Sequence, residues 1–370
     1  MPDNGRCRST CGTRSEGRPL TNVDTVESQS ADMPGMFRRY RPSIIRGLRQ
    51  GLASGHPQVY DILRYYMGWV DVDGNPCVSP EGKALRPTLC LFACEAAGGA
   101  PGMAMPAAVA LEFIHNFSLI HDDIQDGDAT RHHRPTVWAV WGVAKALVAG
   151  NVLRAVADMS LSGLLDKGLD PDRTLMVTEV LTEAYLEMIE GQYLDISFEG
   201  RPDIGMSEYL AMISRKTGAL IRCSLNLGAV IASHDSRTIE SFRECGRSLG
   251  YVFQIRDDVM GVWGDLELTG KPVGDIQRKK NSLPVVHAMS QAKGQDKDAL
   301  VGIYEKQHLT DDDVATVLDV MERVDTRGFA SRLAAEHGEQ ALEALSGVEL
   351  APEARREVED LVDFLLVRDH

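Results

Sequence analysis

Two runs of aspartate are the residues most able to do chemistry. The first is His-Asp-Asp-Ile-Gln-Asp, with Asp122, Asp123 and Asp126, and it closes a long apolar segment over 107–120. On a helix, residues four apart are neighbours, so Asp122 and Asp126 project from one face. Side-by-side carboxylates repel each other, and such a pair is tolerable in water or around a shared divalent cation. Magnesium takes oxygen ligands of this kind and commonly bridges to substrate phosphate. The second run is Asp257-Asp258, which follows Tyr251-Val-Phe-Gln-Ile-Arg256 at the end of another apolar segment, with Asp265 soon after. Either run alone reads equally well as a solvated acidic helix end. Together they describe the rim of a deep pocket, able to hold magnesium against a diphosphate while an apolar tail lies below.

Cations accompany both runs. Lys83 and Arg86 lie one turn apart in Glu-Gly-Lys-Ala-Leu-Arg-Pro, and Arg131 and Arg134 follow the first run. Lys216 sits in Arg-Lys-Thr-Gly and Lys271 in Thr-Gly-Lys-Pro. Lys and Arg total 39 against 54 Asp and Glu, a formal charge of −15. Such a field argues against a general nucleic-acid binder, and a polyanion must be met by local cations and metals. His115, His121, His132 and His133 suggest a transition-metal site only weakly, because the neighbouring carboxylates favour a hard cation.

The elements that must position these residues read as helices almost throughout. Apolar residues recur at three and four spacing, as in Leu181, Ala184, Tyr185, Met188, Ile189 and Tyr193. The pattern predicts helices over 36–51, 57–67, 84–97, 106–124, 136–164, 171–198, 206–233, 236–260, 283–291, 299–305, 311–321, 326–345 and 352–367. Ser207, Pro171 and Thr310 mark helix starts. No alternating strand or hairpin signal interrupts them, and no apolar run reaches the ~18 residues a membrane helix needs. The expectation is an all-α fold, a single large helical bundle domain over 34–370 with a central deep pocket, preceded by a disordered leader over 1–33. Seven cysteines do not form a disulfide framework; Cys7 and Cys11 read as unpaired tail thiols, and the simplest setting is a reducing cytoplasm.

An ordered set of motifs then carries a resemblance. They are Gly-Lys-Ala-Leu-Arg-Pro (82–87), His-Asn-Phe-Ser-Leu-Ile-His-Asp-Asp-Ile-Gln-Asp (115–126), Arg-Pro-Thr-Val (134–137), Gly-Gln-Tyr-Leu-Asp (191–195), Lys-Thr-Gly (216–218), Phe-Gln-Ile-Arg-Asp-Asp (253–258) and Gly-Lys-Pro-Val-Gly-Asp (270–275). Over about 43–288 the chain resembles the trans-isoprenyl diphosphate synthases, all-α enzymes of the isoprenoid synthase type. The resemblance implies that isopentenyl diphosphate is condensed with an allylic prenyl diphosphate. It implies three Mg2+ ions, with Asp122, Asp126, Asp195 and Asp257 as metal ligands and Asp123 and Asp258 beside them. Arg131, Lys216 and Lys271 would hold the allylic diphosphate, with Thr217 and Gln254 around the developing cation. Lys83, Arg86 and His115 would hold the isopentenyl diphosphate. A homodimer is also implied.

This sequence departs from the family pattern at three places. His132 replaces the second of two adjacent arginines, Gly261 stands where a third aspartate is common, and Gly150-Asn151 stands where Gly-Asp is usual. Phe117, five residues before Asp122, lies roughly 7.5 Å below the rim at 1.5 Å per residue, with the small Ser118 beside it. An aromatic floor there resembles that of members that stop at twenty carbons, so geranylgeranyl diphosphate is the expected product and farnesyl diphosphate the next. The alternatives are a class I terpene cyclase on the same fold and a non-catalytic regulatory partner subunit.

Overall fold

The computed structural model describes residues 33–77, 82–264 and 274–367. Met1–Asp32, with Cys7 and Cys11, therefore lie outside the described residues, as do Asp265 and Lys271. Within the Pro34–His370 unit the helices are α1 (Gly35–Gly51), α2 (Pro57–Tyr66), α3 (Leu85–Ala96), α4 (Pro101–Gln125), α5 (Val137–Trp141), α6 (Val143–Asp166), α7 (Pro171–Phe198) and α8 (Met206–Ile213). They continue with α9 (Ala219–Ala232), α10 (Ser236–Trp263), α11 (Gly274–Gln277), α12 (Leu283–Gln291), α13 (Gln295–Glu305), α14 (Asp311–Arg323), α15 (Thr326–Ala344) and α16 (Pro352–Val367). The expected all-α architecture is present.

The helices start where side chains satisfy their first amides. Asp170 accepts from the backbone N–H groups of Asp172 and Arg173 before Pro171, and Asp235 caps α10 in the same way. Thr310 and Asp313 bond reciprocally at the start of α14. Ser207 does not cap α8; the helix begins one residue earlier, and Glu208 accepts from the Gly205 N–H at 2.9 Å.

Four expectations are corrected. The helix expected over 136–164 is two, because Gly142 adopts φ +84, which breaks the helical path between α5 and α6. The segment over 206–233 is interrupted by a π-helical turn at Ser214–Gly218, and π turns commonly mark functional sites. A small hairpin pairs Thr130–Arg131 with Arg134–Pro135. No hairpin signal marks it, because its turn is His132-His133 rather than Asn-Gly. Finally, α4 is long and apolar enough to cross a membrane by length and composition. In the fold it is a core helix. Its Ala107, Ala108, Ala110, Leu111, Phe113 and Ile114 are fully buried or nearly so, and it packs most extensively on α6. That burial on most sides explains why α4 lacks a polar face.

The functional end of the molecule is where α4, α7, the π turn and α10 converge. Side chains at the contacts are missing, which lets the backbones meet. A Cβ on Gly191 of α7 would lie 2.2 Å from the Lys216 nitrogen, and one on Gly250 of α10 would lie 2.8 Å from the Gly218 Cα.

His132 and His133 both hold positive φ, +48 and +59, on an exposed turn. Left-handed backbone costs a non-glycine residue roughly 1–2 kcal/mol. His133→Gly is expected to raise the unfolding free energy by about 1 kcal/mol, read from denaturant midpoints. A lowered midpoint would show that the imidazole stabilises the turn by more than the strain costs.

Candidate active site

The first aspartate run sits at the end of α4, and its three carboxylates have different surroundings. Asp123 is 1% exposed, and its Oδ1 accepts from Arg131 Nε at 2.7 Å. Its Oδ2 is buried and has no hydrogen-bond partner among the described residues. Burial pushes this carboxyl up to about 6, against the pull of Arg131. Asp123 thus reaches the site through Arg131, which it fixes in place. Asp126 caps the helix end, where desolvation and the charge of Asp122 push its carboxyl up to about 6 as well.

Asp122 faces the π turn. Lys216 Nζ stands 3.7 Å from Asp122 Oδ1 and makes a close ion pair with Asp195 of α7. The widened turn aims Lys216 between the two helices, and Gly191 lets α7 approach closely enough for Asp195 to reach it. Burial opposes the Lys216 charge, but Asp122 and Asp195 outweigh it and hold the ammonium above its ordinary range.

The second run divides in the same way. Asp257 is exposed, whereas Asp258 is 2% exposed. Asp258 accepts from the Tyr209 hydroxyl at 2.6 Å, the Leu283 N–H at 2.7 Å and Gln254 Nε2 at 2.7 Å. Gln254 in turn accepts from the Thr217 hydroxyl at 2.5 Å. Burial pushes Asp258 up to about 6, with Lys280 opposing. Asp258 is therefore an anchor. Its hydrogen bonds fix Gln254 and Thr217 on the π turn and tie α10 to α8 and α12.

Two residues that sequence reasoning did not single out connect the runs. Burial opposes the charge of Lys280, but Asp275, Asp258, Asp195 and Asp257 together hold its ammonium well above the ordinary range. Lys280 also draws down Asp126. Arg278 pairs with Asp128 beyond the first run, with Nη1 to Oδ2 at 3.2 Å. Both follow Asp275 in Arg278-Lys279-Lys280, a cationic run in an acidic chain, and that was the available signal. Asp275 also explains one departure. A Cβ on Gly261 would lie 2.3 Å from Asp275 Oδ2, so glycine leaves room there for a carboxylate supplied by α11.

A second cationic patch adjoins the first. Arg86 is 8% exposed, and burial lowers its guanidinium to about 10 while Glu112 and Asp257 support its charge. Its buried Nε has no hydrogen-bond partner among the described residues. Burial, with Arg86 and Arg131, pushes His115 well below its ordinary value, so the imidazole is neutral at pH 7. Desolvation and the charges of Arg131 and His133 also lower His132, which leaves it a neutral donor at the hairpin tip. Glu112, raised by burial, is the buried counter-charge that the sequence reading missed.

The expected metal ligands do not meet at one point. Among the described residues, no three histidine, cysteine, aspartate or glutamate side chains converge to hold a metal by themselves. The physical reason is visible at Lys216, whose ammonium stands between Asp122 and Asp195. The donor set still fits magnesium, which uses one or two carboxylates and completes its shell with water and substrate phosphate. Asp122 and Asp126, four residues apart at the end of α4, and the exposed Asp257 could supply such carboxylates, and burial together with the charge of Asp122 raises Asp126.

The family model for polyprenyl synthetase matches residues 72–321. The (2E,6E)-farnesyl diphosphate synthase of Mycobacterium tuberculosis H37Rv is 36% identical over 325 residues, 87% of this chain and 89% of that protein. The geranylgeranyl diphosphate synthase of the same strain is also 36% identical, over 308 residues, 83% of this chain and 87% of its own. A crystal structure of polyprenyl synthetase from Streptomyces coelicolor A3(2) superposes with a TM-score of 0.83 at 35% identity, covering 90% of this chain and 99% of that one.

The glycine contacts give a test with an internal control. Gly191→Ala forces its new methyl against the Lys216 backbone and is expected to destabilise by about 1–3 kcal/mol in chemical denaturation. Gly302→Ala, inside α13 with open space around it, is expected to stabilise by up to about 1 kcal/mol. Equal effects of the two substitutions would contradict the close approach at Gly191.

Proposed function

The chain belongs to the polyprenyl synthetase family, and on that premise we propose that it condenses isopentenyl diphosphate with an allylic diphosphate and stops at geranylgeranyl diphosphate. It is a prenyltransferase of the short-chain prenyl diphosphate synthase class. One observation supports the two-substrate reading above all. Two cationic patches, Lys216 and Lys280 with Arg131 on Asp123, and Arg86 with neutral His115, flank the same carboxylates. A cyclase, which takes one diphosphate, has no use for the second patch.

Asp122, Asp126 and Asp257, with Asp195 beside Lys216, hold magnesium in this reading. Three ions match a diphosphate spread between the two runs. When bound, the metal neutralises charge on the departing diphosphate. Lys216 and Arg131 bind the allylic diphosphate, and Lys280 adds a further cation between the runs. Thr217 and Gln254, locked by Asp258, present oxygen lone pairs and dipoles toward the cation left behind. Lys83, Arg86, His115 and His132 orient isopentenyl diphosphate so that its double bond attacks that cation. The released diphosphate takes the final proton, so no protein base is required.

Equal identity to a farnesyl and a geranylgeranyl synthase leaves product length to the residues below the rim. Phe117 is 9% exposed, and its ring meets His121 edge-on at 4.9 Å. His121 in turn fills the notch over Gly150, where a Cβ would lie 2.3 Å from its Nε2. The Gly150-Asn151 departure thus retains the glycine that this packing needs, while Asn151 is exposed. Phe117 is therefore held edge-on from the rim side by His121 and is suited to act as a floor, with Ser118 leaving room beside it.

The outer face of α7 supports a homodimer in this reading. Leu186, Ile189, Tyr193 and Ile196 lie at helical spacing and are 42–71% exposed. An apolar stripe of that kind marks a protein contact, and a second copy is the partner this family reading supplies.

Incubation of the purified chain with magnesium, isopentenyl diphosphate and dimethylallyl, geranyl or farnesyl diphosphate is expected to give linear prenyl diphosphates by mass spectrometry. Asp122→Ala and Asp257→Ala are each expected to lower turnover at saturating magnesium by at least about 100-fold with helicity retained. An unchanged rate for either would sink the metal assignment, and cyclic products formed without isopentenyl diphosphate would favour the cyclase.

Phe117→Ala is expected to move the product distribution beyond twenty carbons in the same assay. An active variant with unaltered products would remove Phe117 as the floor.

A further inference from the structure

Lys83 precedes α3 by one strained residue. Ala84 holds φ +51, so the chain enters the helix at a fixed, unfavourable angle. Strain of this kind persists where surrounding structure over-determines it. Here the surrounding structure includes the far end of the chain. Lys83 Nζ lies over the ring of Phe364 in α16, 5.7 Å from its centroid.

The ring itself is held. Phe37 of α1 packs against it with centroids 6.1 Å apart. Arg39, two residues further on, makes a two-pronged pair with Glu357 of α16, at 2.6 and 2.8 Å. The same guanidinium reaches Glu95 near the end of α3 at 3.0 Å. Helix α1 is thus a strut that fixes α16 relative to α3, and Phe364 is the point where that strut meets a cation.

We infer that Phe364 is a positioning residue, whose aromatic face holds the Lys83 ammonium on the approach to α3, three residues before Arg86. This rests on the reading of Lys83 as a contact of isopentenyl diphosphate. Lysine is a flexible point charge, and a mobile one loses rotamer freedom when it clamps a phosphate. Holding it beforehand removes part of that loss. An aromatic face suits the task because it attracts an ammonium without cancelling its charge, unlike the carboxylate of Asp195 beside Lys216. Affinity for the second substrate is thereby tied to the seating of the C-terminal helix.

The test uses steady-state kinetics of the full chain. Phe364→Leu is expected to raise KM for isopentenyl diphosphate by about three- to tenfold, with KM for the allylic diphosphate and kcat within about twofold. Phe364→Trp, which keeps an aromatic face, is expected to stay near the parent. Phe37→Leu loosens the Phe364 ring without removing the aromatic face over Lys83, and is expected to raise that KM by clearly less than Phe364→Leu, even where its melting temperature falls as far. Phe364→Met serves the same comparison should Phe364→Leu fail to fold. Lys83→Ala distinguishes the two levels of the argument. If it raises KM while Phe364→Leu does not, the positioning role is wrong and the Lys83 reading stands. If Lys83→Ala leaves KM unaltered, the Lys83 reading itself fails. Equal increases from Phe364→Leu and Phe37→Leu would reduce Phe364 to a packing residue and overturn the inference.

Discussion

Negative charge gathered in one place is the constraint on which this structure turns. The end of α4 and the last two turns of α10 deliver Asp122, Asp123, Asp126, Asp257 and Asp258 to one region, with Asp195 and Asp275 joining from α7 and α11. Burial first, and neighbouring carboxylates second, oppose ionisation here, and Asp123, Asp126 and Asp258 each rise to about 6. The fold answers with cations placed from elsewhere in the chain. Lys216 comes from the π turn, Lys280 from beyond α11 and Arg131 from the hairpin. The backbone irregularities cluster where these cations must be aimed.

Each acidic pair is divided between an inner and an outer member. Asp123 and Asp258 are almost fully buried and are bound to Arg131 and to the Tyr209–Gln254–Leu283 donors. Asp122 and Asp257 face outward beside them. Adjacent residues on a helix point in different directions, so one sequence pair supplies both a buried support and an outer carboxylate. The arrangement stiffens the outer carboxylates, because the inner ones bind the helix end to its neighbours. Such pre-organisation suits a site that must meet a diphosphate without rearranging around it.

The helices approach closely because glycine stands at the crossings. Gly191, Gly218, Gly246 and Gly250 allow α7, α9 and α10 to pass with backbone nearly against backbone. Gly150 receives the His121 ring in the same way, and Gly261 admits Asp275. The site therefore depends on absent side chains as much as on charged ones.

The sequence by itself determined the helical class, because apolar residues at three and four spacing can bury one face only as helices. It also determined the acidic rims, since Asp122/Asp126 and Asp257/Asp258 lie at the ends of apolar segments whatever the packing. The ordered motifs carried the family, and the structure brings Asp122, Asp123, Lys216, Thr217, Gln254 and Asp258 of the expected residues into contact around the π turn and its neighbouring helices. Only the tertiary structure decided the rest. Lys280 reaches Asp258 and Asp195, Arg278 reaches Asp128 and Glu112 reaches Arg86 across long stretches of chain, so the cationic run was visible but its partners were not. The His132-His133 turn hides a hairpin because neither residue advertises positive φ. The burial that separates Asp123 from Asp122 is a property of neighbouring helices, not of the dipeptide. Phe364 meets Lys83 across 281 residues of chain, and no spacing rule reaches that far. Local periodicity is written in short-range sterics and burial, whereas charge pairing across helices exists only once the helices have packed.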